Sequence, residues 1–348
     1  MSLALTIVQS LVMKDPELSK NVNRRSRYGA LDTFQRQTNT PGGPVNPMLQ
    51  MQYEGSQGRT VTIPVYDNED ITITSTRPVT IPRAENTSAK VTVSSTVFSF
   101  GFTMDPVRYL TNEMSYENDF AHKLKKRLWA CGAAIDTHLL SQLNTYKTQV
   151  FGFDGGGQYD TTNDIFTASS RATAGNLLND VKIGMGANDY YGQYDMIMNP
   201  GMESLVSELA KYGLYNEKDN SMQFSGFDYA TSNRLANPTD FAGCGYAIEK
   251  GNLGIMFRHE GEALLGTTAL TGHQWRKTTL PVLGLPCDSY YYEGVADISS
   301  VDATVSHVTR ARTQYFHWAV EMATLISYND DLTAYANPIM KFGYKAGL

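Results

Sequence analysis

Seven apolar residues, Phe120, Leu124, Leu128, Cys131, Ile135, Leu139 and Leu143, recur at spacings of three or four. That period is one face of an α-helix, and it predicts a helix from Glu117 to Leu143 about 40 Å long. Glu113, Glu117 and Asp119 gather at its start and Lys147 lies past its end, as the helix dipole favours. Lys123, Lys125, Lys126 and Arg127 fall away from the stripe. Such a charge run is ordinarily a solvated face; the second reading is a phosphate-facing one.

A strand of unusual length precedes this helix. From Lys90 to Met104 apolar residues alternate with polar ones, first on Val91 and Val93, then on Phe98, Phe100 and Phe102. The phase changes at Ser94-Ser95-Thr96, which predicts a bend, a bulge or passage from one environment into another. At about 3.3 Å per residue the strand extends on the order of 50 Å, more than a small sheet can use. Upstream, Val61, Ile63 and Val65, then Ile71 and Ile73, then Val79 and Ile81 also alternate, around an acidic turn at Asp67-Asn68-Glu69-Asp70. Together these segments predict a hairpin that projects from the body.

Residues 1–46 differ from the rest. Lys14, Lys20, Arg24, Arg25, Arg27 and Arg36 oppose Asp15, Glu17 and Asp32, a local charge of +3. Pro41, Gly42, Gly43, Pro44 and Pro47 then interrupt any regular element, which reads either as an extended arm leaving the body or as a disordered tail. Beyond Gly155-Gly156-Gly157 the pattern turns mixed α/β. A helix is expected over Ala172–Met185, a buried strand over Tyr194–Met198, and a helix opened by Asn199-Pro200 over Met202, Leu205, Val206 and Leu209. Gly-punctuated strands run from Phe224 to Phe257. Two more β segments lie between Val301 and Ile326, the second with Phe316, Trp318, Val320, Met322 and Ile326 on one face. No internal repeat is visible.

The chemistry-bearing residues form no reactive constellation. Cys131, Cys244 and Cys287 are the only cysteines and no two make a CxxC pair, so neither a disulfide framework nor a zinc site is expected. His122, His138, His259, His273, His307 and His317 include no HExxH motif, and the adjacent His259 and Glu260 would point to opposite faces of a strand. No GxSxG elbow is present, and the glycines of 152–157 lack a Walker lysine. Catalysis, cofactor binding and metal binding are therefore not expected. No run is long enough to cross a bilayer, and no secretory leader is recognisable, so synthesis in a cytoplasm is expected. The net charge of -6 argues against a protein that coats nucleic acid. A projecting hairpin and a basic arm on a chain of 348 residues without reactive groups point to contacts with copies of itself.

The order of elements resembles that of the tailed-bacteriophage major capsid proteins of the Hong Kong 97-type fold. Val61-Thr62-Ile63-Pro64 and Val97-Phe98-Ser99-Phe100-Gly101-Phe102 resemble the E-loop and its return. The helix ending Ala133-Ala134-Ile135-Asp136-Thr137-His138-Leu139-Leu140 resembles the spine helix. Asp195-Met196-Ile197-Met198-Asn199-Pro200 resembles a strand-helix unit of the axial domain, and Phe224-Ser225-Gly226-Phe227-Asp228-Tyr229 and Gly251-Asn252-Leu253-Gly254-Ile255 resemble its later strands. Trp318-Ala319-Val320 through Ala336-Asn337-Pro338 resembles the closing strands of the peripheral domain. The resemblance covers essentially the whole chain but rests on element order and short, degenerate motifs.

The resemblance implies an α+β chain in four parts: an N-terminal arm (1–46), an E-loop hairpin with its return strand (47–104), a peripheral domain with the spine helix (105–160 and 300–348), and an axial domain (161–299). It implies a non-enzymatic capsid protein that self-assembles, as hexamers and pentamers, into an icosahedral head enclosing double-stranded DNA. Expected partners are other copies, portal and scaffold proteins and, in some heads, a decoration protein; no membrane is involved. The expected location is the virion, after assembly in the host cytoplasm. Val61, Ile63, Asp67, Glu69, Asp70, Ile71 and Ile73 of the E-loop would make contacts with neighbouring copies. Lys123, Lys125, Lys126 and Arg127, with Arg24, Arg25 and Arg27, would face the packaged DNA through non-specific phosphate contacts. Residues 48–89 contain no lysine, so the lysine–asparagine cross-link of some relatives is not expected. Any scaffold is expected to be a separate protein or a removed leader. The alternatives are an encapsulin-like compartment shell, which shares this fold but holds an enzyme cargo, and a soluble α+β enzyme or binding module.

Overall fold

The computed structural model describes residues 28–40, 43–56, 59–66, 88–109, 115–147, 159–160, 162–168, 171, 174, 176–187, 190–211, 227–259, 273–296, 311–326 and 338–346. They form helices α1 (Gly29–Thr38), α2 (Pro47–Gly55), α3 (Tyr116–Tyr146), α4 (Leu177–Ala187) and α5 (Pro200–Lys211). Strands β1 (Thr60–Tyr66), β2 (Ser88–Met104), β3 (Tyr159–Asp160), β4 (Ile165–Ala168), β5 (Tyr194–Met198) and β6 (Phe227–Thr231) alternate with them. Six more follow: β7 (Phe241–Glu249), β8 (Leu253–Arg258), β9 (His273–Thr279), β10 (Pro286–Ala296), β11 (Ala311–Ile326) and β12 (Ile339–Lys345).

The chain divides into two compact units. The first holds Ser95–Asp136 and Met256–Ala323, with the N-terminal residues through Tyr28; the second holds Gly29–Ser94, Thr137–Ile255 and Thr324–Leu348. In the first unit β11 lies between β2, which it pairs from Ser95 to Met104, and β10, which in turn pairs β9, all antiparallel. Even-numbered residues of β11 point to one face, where Phe316, Trp318, Val320 and Met322 are buried as their alternation predicts. The N-terminal half of α3 lies against that face. The Phe120 ring meets Phe102 at 5.1 Å and Phe316 at 4.9 Å, both edge-on. All seven residues of the predicted helical stripe are buried.

The phase change in β2 has a structural cause. Its residues Ser88–Ser94 pair with β1 inside the second unit, whereas Ser95 begins the pairing with β11 in the first. One continuous strand thus serves two environments, and the apolar alternation changes parity where the partner changes. Of the three expected explanations, passage between environments is the one found.

The second unit is built on a sheet of order β3-β4-β12-β7-β5-β6. Every residue of β5 is buried, as predicted for Tyr194–Met198. Helices α4 and α5 contribute Leu177, Leu178, Val181, Met202, Leu205 and Val206 to one core with Tyr194, Met196 and Met198. Asn199 starts α5 as expected: its Oδ1 accepts from the Met202 N–H at 2.9 Å, and Pro200 needs no donor there. Of the expected helix over Ala172–Met185, Leu177–Met185 lies in α4, which runs on to Ala187, while Ala172, Thr173 and Gly175 lie outside the described residues.

At three places the two units cut across the four expected parts. Gly29–Thr38 is a helix rather than an extended arm: α1 buries Ala30, Leu31 and Phe34 in the second unit, because these three share one helical face. The 300–348 segment is not confined to the closing strands of one domain, since β12 inserts between β4 (parallel) and β7 (antiparallel) in the second unit's sheet. Nor does the 161–299 segment stay together, because β9 and β10 extend the first unit's sheet beside β11. The strand β11 covers the second expected β segment; the first, near Val301, lies outside the described residues.

Burial is the main influence on the chemistry of the cysteines. It pushes the thiols of Cys131 and Cys287 up to about 12 and that of Cys244 up to about 11. The thiolate is the reactive form, so the folded protein is expected to show no thiol titre with a chromogenic disulfide reagent at neutral pH, and three equivalents in denaturant. A rapid native titre would contradict this packing.

Candidate assembly and polyanion-facing surfaces

The base of the hairpin is defined by β1 and the first half of β2, paired antiparallel from Thr60↔Ser94 to Tyr66↔Ser88. Val61 is buried and Ile63 half-buried. Asp67, Glu69, Asp70, Ile71 and Ile73 lie outside the described residues. Among the described residues β1 stands at the end of its strand order, and Pro64, which cannot donate to a ladder, is compatible with that edge position. Just upstream, α2 starts at the Asn46 cap, whose side chain accepts from the Met48 N–H at 3.0 Å. It buries Tyr53 and leaves Met48 and Met51 exposed at 67% and 73%. Exposed methionines on a short helix are adaptable contact material.

The four cations predicted on α3 separate into two pairs. Lys123 is held by Asp119, Nζ to Oδ2 at 2.8 Å, and Asp119 also accepts from the Tyr109 hydroxyl. Burial is the largest single effect on the Asp119 carboxyl and raises its pKa, but Lys123, Tyr109 and His122 together outweigh it and hold the group below the ordinary carboxylate range. Arg127 donates from Nε to the Gly101 carbonyl at 2.8 Å and lies 5.1 Å over the Phe102 ring. Lys123 Nζ also reaches Met104 Sδ at 3.5 Å, so both side chains tie α3 to β2. Lys126 is exposed, and Lys125 rests 5.3 Å over the half-exposed ring of Trp129. Arg24, Arg25 and Arg27 lie outside the described residues.

Sequence reasoning missed the attachment of α1. Asp195, on β5, has a fully buried side chain; Arg36 Nη2 and Gln37 Nε2 each donate to one of its oxygens at 2.6 Å. Gln37 Oε1 accepts from the Leu253 N–H at 2.9 Å and the Asn252 N–H at 3.2 Å, and Thr38 Oγ1 from the Ile255 N–H at 2.9 Å. The signal was the Ala30, Leu31, Phe34 spacing, which the surrounding charges and the Pro-Gly cluster obscured.

Opposing effects act on Asp195: burial raises its pKa, while Arg36, Gln37 and Lys250 lower it and Asp228 raises it; burial is the largest and the net direction is up. A folded-state pKa above the unfolded value means that the native state binds the proton more tightly, so this group's contribution is complete below the unfolded pKa and is lost as pH rises through the folded one. Asp195→Asn is therefore expected to remove a stability increment that the parent gains on acidification below neutrality. Urea melts of both chains between pH 4 and 7 measure it; parallel pH profiles would refute this assignment.

Among the described residues the other titratable groups form no evident reaction centre. His259 Nδ1 lies 2.9 Å from Asp288 Oδ1, while Glu260 is outside the described residues. Among the described residues no three His, Cys, Asp or Glu side chains gather as metal ligands. Among them, too, no helix is long and apolar enough to cross a membrane.

No family model matches the chain, and no curated protein matches it. Solved structures do. A chain from the asymmetric unit of the bacteriophage PhiM1 mature capsid is 11% identical, with 83% of this chain and 82% of that one covered at a TM-score of 0.50. A chain from Mycobacterium phage Che8 gives 10% identity, coverages of 84% and 87% and a TM-score of 0.49. One from the capsid of cyanophage P-SCSP1u gives 9%, 84%, 85% and 0.47. The chain thus shares the α+β fold of the PhiM1 capsid protein.

Proposed function

We propose that this chain is a major capsid protein, which assembles with copies of itself into the closed icosahedral head of a tailed phage around double-stranded DNA. The observation that carries the reading is the fold shared with the PhiM1 mature capsid chain over 83% of the present one. The role is structural rather than catalytic. In this reading the first unit is the peripheral domain with the spine helix, and the second unit's sheet with α4 and α5 is the axial domain. The β1–β2 hairpin is the base of the E-loop, which laps a neighbouring copy. Heterologous contacts of that kind close into rings, here hexamers and pentamers. Portal, scaffold and decoration proteins are partners of the same scheme, and its final location is the virion after assembly in the host cytoplasm.

The surface supports self-association. Tyr191 is 77% exposed and Ile183 46% exposed, and with Met48 and Met51 they present large apolar groups that a solitary copy leaves in water. Sedimentation velocity of the purified chain over a hundredfold concentration range tests the reading. Capsomer-sized or larger species are expected; a monomer throughout would refute it.

A further inference from the structure

We propose that the buried guanidinium of Arg258 is a binding site for a carboxylate supplied by a second copy of this chain. Arg258 closes β8 in the first unit and is only 9% exposed. Its Nε and Nη1 are buried, and among the described residues neither meets a hydrogen-bond acceptor. Other arginines are placed differently. The exposed Arg171 and Arg312 are paired with Glu208 and Glu293, although water would serve them nearly as well. Arg36 has Asp195, and Arg127 has the Gly101 carbonyl. Even His259, the next residue, has the Asp288 carboxylate, with Oδ1 2.9 Å from its Nδ1. Of these cations, Arg258 combines deep burial with Nε and Nη1 that find no acceptor.

Guanidinium chemistry narrows the ligand. The group stays protonated throughout the range in which proteins fold, so its burial cannot be relieved by losing a proton. A charge withdrawn from water without a partner is among the costliest arrangements in a protein, and native chains rarely keep one. The planar fork fits an oxyanion through two parallel hydrogen bonds. The backbone of a DNA duplex is too broad to reach a side chain so nearly enclosed, whereas the tip of an Asp or Glu side chain is narrow enough. A copy of this chain offers such groups in excess, with 35 acidic residues against 29 basic ones. Charge pairs across a contact also fix its register and reject wrong partners, which a shell of repeated contacts requires. That the carboxylate comes from a second copy rests on the capsid reading.

Two measurements on the purified full chain test the site. Arg258→Met keeps much of the side-chain volume and removes the charge. In urea melts below the concentration at which the parent assembles, it is expected to raise the midpoint by about 0.5 M or more, because the solitary copy loses an unpaired buried charge. In sedimentation velocity the same variant is expected to need a concentration about tenfold higher or more to assemble, because the pair across the contact is broken. Arg258→Gln, uncharged but still a donor, is expected to move both readings in the same directions, so the test does not hang on one variant. Lower midpoints or failure to fold in both variants would show that the guanidinium is satisfied within one copy, and would overturn the proposal. Assembly of both variants at the parent's concentration would overturn it too, with the capsid reading left standing. A parent that stays monomeric throughout overturns the capsid reading and the proposal together, so the two failures are told apart.

Discussion

Removing residues 1–40 is expected to unfold the second unit, whereas removing residues 1–27 is expected to leave it intact. The longer truncation takes away α1, and with it the burial of Leu31 and Phe34, worth about 1.5–3 kcal/mol each. It also leaves the buried Asp195 carboxyl without Gln37 and without Arg36, whose side chain is itself 37% exposed, a loss of about 1–3 kcal/mol for a buried acceptor left unsatisfied. The total is comparable with the whole stability of an ordinary domain, about 5–15 kcal/mol. Urea denaturation followed by far-ultraviolet circular dichroism measures the difference. Equal midpoints for the two truncations would mean that α1 is not integral to the second unit.

In the first unit, Trp318→Ala is expected to cost about 3–5 kcal/mol. The ring is buried and stacks with Phe100 at 5.5 Å and Phe102 at 5.6 Å, so truncation opens a cavity that β2 and α3 cannot both close. Trp318→Phe separates shape from polarity. Among the described residues the indole N–H has no hydrogen-bond acceptor, and a buried donor without a partner costs about 1–3 kcal/mol. Phenylalanine removes that donor while keeping most of the contact area, so its net effect is expected to stay within about 1.5 kcal/mol. Chemical denaturation of the two variants beside the parent reads both values. A phenylalanine variant as unstable as the alanine one would show that the ring's size, not its burial as such, carries the packing.

How far the fold was legible depended on whether its determinants were local. The α3 stripe and the buried strand Tyr194–Met198 follow from periodicity, and both stand where the pattern put them. The parity change at Ser94-Ser95-Thr96 was readable as an event, but only strand pairing reveals its cause, a change of partner from β1 to β11. β12 could not be placed from its own residues. Its position between β4 and β7 is a long-range choice, and nothing in Ile339–Lys345 names those neighbours. The same holds for the candidate surfaces. The sequence presents Lys123, Lys125, Lys126 and Arg127 as one cluster, and nothing in it shows that Asp119 holds Lys123 and the Gly101 carbonyl holds Arg127. Arg36 looked like one more charge on an arm until Asp195, 159 positions away, appeared beneath it.

If this chain is a shell protein whose hairpin joins it to its neighbours, closure of the shell must depend on the part of the hairpin beyond the β1–β2 ladder. Negative-stain electron microscopy of the purified full chain, beside a variant with residues 67–87 replaced by a two-residue type I′ turn, puts that dependence to the test. The replacement keeps the β1–β2 ladder and removes the part that would lap an adjacent copy. Uniform closed particles, tens of nanometres across, are expected from the full chain, and a folded protein that closes no shells from the variant. A dispersed monomer from the full chain, or identical shells from both, would contradict the capsid reading or the lapping role respectively.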